Sequence, residues 1–251
     1  MALYIKTLHV PEKGSHKGEN GKLLIVGGSK EYHGAPMLSI LAARRFVDLV
    51  YFCPGENDSY LISAVKTIPE VIVVDNLRKI DEVDCVLSGV GLGKAKFSAR
   101  QLEAKKLVID GDGLKRVKGR IPKGAILTPH EGEFRMLFGM EGNKENVKAM
   151  AKKHKCIILK KGPVDIISDG NNLETNDVHN PGMTKGGTGD VLAGLVAALA
   201  CKNDSFKAAV AAAIITGHAG NILQKKYGYN FCASDVAWAL PESLVKLSKR
   251  G

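Results

Sequence analysis

The sequence predicts a three-layer α/β/α protein with a mostly parallel central sheet and helices on both faces. Three observations carry that expectation. Short runs rich in β-branched and other apolar residues recur, and several are continuously apolar, as strands buried on both faces must be. Helical patterns alternate with these runs, the order that gives a parallel sheet with crossover helices. Glycine clusters fall after strands or before helices, where open α/β sheets bind ligands beyond the carboxyl ends of their strands.

Strands are expected at 22–26 (KLLIV), 50–53, 71–74, 85–88, 106–110, 125–128, 156–160 and 164–168. Helices are expected at 36–47, where Pro36 suits a first turn, and at 97–104, 131–138 and 144–154. The last third reads as helical over 191–200, 205–226 and 234–247. Gly170-Asn171-Asn172 is a turn signal between Ile166-Ile167 and Leu173, so an antiparallel edge pair is expected there. No linker, repeat or low-complexity stretch interrupts the 251 residues, which read as one domain.

Composition narrows the function class. Hydrophobic residues make up 45% and charged residues 25%, which is ordinary for a globular chain able to bury a full core. The formal charge of +10 admits nucleic acid, anionic membrane or a phosphate-bearing small molecule as a partner. The lysines are dispersed, however, with modest clusters at 115–118 and 152–155, and no nucleic-acid-binding motif accompanies them. Neither a nucleic-acid nor a membrane partner is therefore expected. The five cysteines, at 53, 85, 156, 201 and 232, lie far apart without a CxxC, which disfavours a disulfide frame or a zinc site and fits a cytoplasmic protein. No uninterrupted apolar run of about eighteen residues and no signal peptide is read.

The glycine loops carry the chemistry. They are Gly27-Gly28-Ser29 with His33-Gly34-Ala35, Gly89-Val90-Gly91-Leu92-Gly93-Lys94, Lys161-Gly162-Pro163, and Gly186-Gly187-Thr188-Gly189-Asp190. None is a P-loop, and the first two could be tight turns. In the last, glycines let backbone N–H groups converge at the start of an apolar helix, where the dipole is also positive. That is an anion hole. Asp190 in its first turn is either a favourable helix-start charge or a base that takes a proton from a hydroxyl as phosphoryl transfer begins.

Several segments in order then resemble one family. Gly-Gly-Thr-Gly-Asp before an apolar helix is similar to the anion-hole motif of the ribokinase-like superfamily. The flanks His16-Lys17-Gly18, GKLLIVGGS with Tyr32 and Gly34-Ala35-Pro36, TPHEGEF at 128–134, and NPGMTKGGTGD at 180–190 resemble the NAD(P)H-hydrate dehydratase family, as does Asp110-Gly111-Asp112-Gly113-Leu114. The resemblance runs from about residue 10 to about 245.

It implies a ribokinase-like fold and ADP-dependent, or ATP-dependent, dehydration of the S epimer of hydrated NADH or NADPH. The hydrate hydroxyl would be phosphorylated and the phosphate eliminated. It implies Asp190 as the base and the amides of Gly187, Thr188 and Gly189 as the anion hole. Ala35, Gly91, Gly93 and His130 would line the hydrate site with Asp190. Lys161, Gly162, Pro163, Val164 and Asp165 would hold the adenine nucleotide together with Gly189. Mg²⁺ would bridge the nucleotide phosphates, with no ligand set readable from the chain. Relatives imply a homo-oligomer, a tetramer among them.

His130 could equally cap the helix at 131, Glu133 could meet metal or support the loop, and Tyr32 and His33 could cover the nicotinamide or pack. The sequence departs from the family pattern at Gly162-Pro163 and at Asp165, where a hydroxyl residue is common. Many relatives carry an N-terminal epimerase domain; none is expected in residues 1–251, so a separate epimerase or spontaneous epimerisation would supply the substrate. The rival reading is a ribokinase-like kinase acting on a hydroxymethylpyrimidine or hydroxyethylthiazole.

Overall fold

The computed structural model describes residues 2–95 and 98–249. Its strands are β1 (Lys22–Gly27), β2 (Leu49–Pro54), β3 (Val71–Val73), β4 (Cys85–Ser88), β5 (Leu107–Ile109), β6 (Ile126–Leu127), β7 (Ile157–Lys160), β8 (Asp165–Ser168) and β9 (Leu173–Asn176). They form one sheet in the order β3-β2-β1-β4-β5-β6-β7-β8-β9. Every pair from β3 to β7 is parallel, while β7 with β8 and β8 with β9 are antiparallel. The chain runs outward from β1 to β3 and then returns to β4 on the other side of β1. That reversal opens a crevice beyond the carboxyl ends of β1 and β4.

After Lys22, β1 is apolar through Val26 because both of its faces are covered. Leu23 and Ile25 join one core and Leu24 and Val26 the other, all almost fully buried. The first face shares one core with α1 (Ala2–Lys6), α2 (Gly34–Ala43), α3 (Ser59–Val65), α7 (Thr188–Lys202), α8 (Ser205–Tyr227) and α9 (Ala233–Lys249). The second packs on α4 (Asp112–Arg116), α5 (Glu131–Phe138) and α6 (Lys144–His154).

Helix α7 lacks an amphipathic stripe because it lies between sheet and helices, with Val191 through Cys201 all buried. Its fit against α2 depends on Gly194, where a Cβ would stand 2.4 Å from the Ser39 carbonyl oxygen. The Ser39 hydroxyl crosses that contact and donates to the Asp190 carbonyl oxygen at 2.9 Å. The two helices thereby fix the height of Asp190 above the sheet.

Helices α5 and α6 span the residues expected, since each opens on a side-chain cap: His130 for α5 and Asn143 for α6. The expected helix at 36–47 stops at Ala43. The expected helix at 97–104 begins on Phe97, outside the described residues, and Ala99–Glu103 is a 3₁₀ turn. Helix α3 has Asp58 at its N-cap and has no counterpart in the sequence reading. Ser205–Tyr227, 23 residues with an 18-residue window of mean hydropathy 1.3, is by length and composition long and apolar enough to cross a membrane, although Lys207 and His218 interrupt its apolar residues; 78% of that window is buried in this fold.

Candidate functional site

The site forms where α7 begins. Gly187 occupies its N-cap with φ 93°, a left-handed backbone that favours glycine, and a Cβ there would lie 2.4 Å from Leu38 Cδ1, which would have to move. The preceding loop is held from several sides. Asn180 accepts the Gly182 N–H at 3.0 Å and donates to Asn221 at 2.8 Å, while the Lys185 ammonium donates to the carbonyls of Tyr229 and Phe231.

Thr188 is turned back into this loop. Its hydroxyl donates to the Met183 carbonyl at 2.7 Å and its amide to the Lys185 carbonyl at 3.3 Å. The amides of Gly187 and Gly189 meet no acceptor among the described residues. The expected trio of donors is thus narrowed to two, because Thr188 spends its N–H on the turn that shapes the loop.

Asp190 is partly buried in the first turn. Burial pushes its carboxyl up to about 7; the like charge of Asp110 adds to the rise, and the Lys161 ammonium opposes it. Lys161 arrives from the end of β7. Its amide donates to the Pro129 carbonyl at 2.8 Å, and its Nζ lies 2.7 Å from Asp110 Oδ1. That same oxygen accepts the Thr128 hydroxyl at 2.7 Å. Lys161 Nζ also stands 3.4 Å from where a Cβ on Gly189 would be, which places the ammonium at the mouth of the anion hole. Burial works against the Lys161 charge, but Asp110 and then Glu133 outweigh it and raise its proton affinity.

His130 and Glu133 form a reciprocal cap on α5. His130 Nδ1 accepts the amides of Gly132 and Glu133, and Glu133 Oε2 accepts the His130 N–H at 2.9 Å. Burial pushes the Glu133 carboxyl up, with the Lys161 charge opposing. The capping role of His130 is present, and the residue also faces a cavity.

That cavity, of about 260 Å³, collects most of the expected nucleotide residues: Lys161, Gly162, Pro163, Asp165 and Gly189, with His130 beside them. Met183, Thr188, Leu192 and Thr216 also line it. Val164 is not part of the lining and is 42% exposed. Asp165 has a structural task that a hydroxyl residue could perform only in part. One of its oxygens accepts the Gly162 N–H at 3.1 Å and the other the Asn176 side chain at 3.0 Å.

The expected hydrate residues divide. Ala35 and Gly91 pack together, with a Gly91 Cβ 2.9 Å from that of Ala35. Gly93 donates its N–H to Asp112 at 2.8 Å and lines a second cavity of about 860 Å³ with Ser29, Tyr32, Lys94 and Lys115. His130 lies with the nucleotide residues instead, because the bridge it forms with Lys161 ties it to the end of β7. His33 precedes α2 without a side-chain cap bond. Asp110 and Thr128 were quoted in the sequence only as parts of motifs. No local pattern reveals that Asp110 would meet a lysine 51 residues later.

Among the described residues no group of three or more His, Cys, Asp or Glu side chains is placed to hold a metal ion. The acids nearest the anion hole are committed, Asp110 to Lys161 and Glu133 to the cap.

A family model described as NAD(P)H-hydrate dehydratase matches residues 23–242. The chain is 39% identical over 260 residues to the ADP-dependent (S)-NAD(P)H-hydrate dehydratase of Cenarchaeum symbiosum, covering 91% of this chain and 90% of that protein. It is 37% identical over 253 residues to the bifunctional NAD(P)H-hydrate repair enzyme Nnr of Archaeoglobus fulgidus, covering 92% of this chain and 52% of that protein. The chain therefore spans about half the length of the bifunctional relatives it matches. In fold it is similar to the ADP/ATP-dependent NAD(P)H-hydrate dehydratase of Bacillus subtilis, co-crystallised with ATP and Mg²⁺, with TM-score 0.86 and 23% identity over 98% of this chain and 97% of that one. The hydroxyethylthiazole kinase of Pyrococcus horikoshii shares the fold at TM-score 0.62 and 15% identity, over 92% of this chain and 89% of that one.

Proposed function

The chain belongs to the NAD(P)H-hydrate dehydratase family, and on that premise we propose that it restores NADH or NADPH from the S epimer of its hydrate at the expense of ADP, with ATP as an alternative donor. The observation that carries this reading is Asp190. Its carboxyl group is held near a neutral proton affinity beside two unpartnered amides and a partly buried ammonium. A base with a pKa near the working pH is the one best able to take a hydroxyl proton.

In this scheme the nucleotide occupies the cavity between Lys161–Asp165 and Thr216, with its terminal phosphate at the start of α7. Asp190 takes the proton of the hydrate hydroxyl as that oxygen attacks phosphorus, and the bond to the nucleoside phosphate breaks. The amides of Gly187 and Gly189 and the Lys161 ammonium balance the charge on the transferring group. Hydroxide is a poor leaving group and phosphate a good one. The ring nitrogen's electron pair then expels phosphate, and loss of a proton from the adjacent ring carbon restores the dihydropyridine. Mg²⁺ would neutralise charge on the nucleotide phosphates; among the described residues no group of three or more His, Cys, Asp or Glu side chains is gathered for it.

Recovery of absorbance at 340 nm on mixing hydrated NADH, ADP and the protein tests the reading. Its absence with both ADP and ATP, together with phosphorylation of an unrelated alcohol, would move the chain to the kinase side of the superfamily. A cytoplasmic setting is supported by five free cysteines, four of them buried. Self-association is supported by Trp238 on α9, 54% exposed with Arg44 and Arg45 against its ring, and is tested by sizing in solution.

A further inference from the structure

A carboxylate next to an ammonium makes a stable ion pair and a poor base. Asp190 has a partly buried lysine within electrostatic range, yet no hydrogen bond joins them among the described residues. The ammonium is directed elsewhere. Lys161 Nζ lies 2.7 Å from Asp110 Oδ1, and Thr128 donates to the same oxygen at 2.7 Å. Asp110 is 4% exposed at the end of β5, and its amide donates to the Ser88 carbonyl at 3.1 Å. The Lys161 backbone is fixed in turn by the Pro129 carbonyl at 2.8 Å. Both ends of this pair are therefore anchored to neighbouring strands.

We propose that Asp110, secured by Thr128, is a positioning residue that keeps the Lys161 ammonium bonded to itself rather than to Asp190, so that the catalytic carboxylate meets the substrate hydroxyl without a directly bonded counter-ion. The inference rests on the reading of Asp190 as the base. The charged groups facing Asp190 are Asp110 from the end of β5, Lys161 from the end of β7 and Glu133 from α5. Helix α2 presents only the neutral Ser39 hydroxyl, to the Asp190 carbonyl. Removing the Asp110 charge has two effects of one sign: a repelling charge disappears, and Lys161 is free to turn to Asp190. Both favour ionised Asp190, which then keeps its charge to lower pH and takes protons less readily.

Asp110→Asn keeps the volume and an oxygen for Thr128. In the repair assay with hydrated NADH and ADP, its acid limb of kcat should move down by about one pH unit or more, with plateau kcat reduced about tenfold and KM for the hydrate unchanged. Thr128→Val leaves every charge in place and only unhooks the pair. It should give a smaller shift in the same direction, which Thr128→Ser reverses. A limb that stays put while kcat falls with the melting temperature would show a structural role and overturn the proposal. Should Asp110→Asn fail to fold, an unmoved limb in Thr128→Val overturns it equally. Wild-type protein without ADP-dependent repair would instead bring down the reading of the site, a failure visible before any variant is made.

Discussion

Asp190→Asn should make the protein inactive and more stable at once. The unfolded chain releases the Asp190 proton near the ordinary aspartate value, whereas the folded chain releases it only near 7. Between those values the folded state binds more protons than the unfolded one. Stability therefore falls as pH rises through the window and stays low above it. The difference is about three pH units, which at about 1.4 kcal/mol per unit sets an upper limit of about 4 kcal/mol. Asparagine cannot ionise, so the variant should recover much of that amount at pH 8 and almost none at pH 4. For a chain of this size such a gain raises the melting temperature by up to about 10 °C. Paired melting curves at the two pH values read the stability, the 340 nm assay reads a loss of turnover of several orders of magnitude, and calorimetric titration reads an ADP affinity left nearly intact. A variant that melts lower than the wild type at pH 8, or one that keeps its turnover, would refute the burial argument and the assignment of the base respectively.

Lys161→Met leaves Asp110 buried without its partner; it should cost about 3–5 kcal/mol in denaturant unfolding and weaken ADP binding more than tenfold by calorimetry. His130→Ala removes the acceptor for two amides at the start of α5 and should cost about 1 kcal/mol in urea unfolding, whereas His130→Asn keeps a capping oxygen and most of the stability. Gly187→Ala forces a side chain onto a left-handed backbone against Leu38, so a loss of about 1–3 kcal/mol with reduced repair rate is expected, measured by melting and the 340 nm assay.

By itself the sequence determined what depends on neighbours in the chain. Continuous apolar runs such as LLIV at 23–26 required strands covered on both faces, and residues 131–138 and 144–154 carried their own caps. Glycines before an apolar helix announced the free amides of Gly187 and Gly189, because the orphan amides of a helix start are a local property. Thr188 shows the limit of such reading: the same loop that predicts three donors spends one of them on its own turn. Only the tertiary structure decided the proton affinity of Asp190, the meeting of Asp110 with Lys161, and the placing of His130 beside Lys161 and Gly162 rather than with Gly91 and Gly93. Those outcomes depend on burial and on partners from different strands, set by how far each strand reaches and which helix covers it. Residue order states neither.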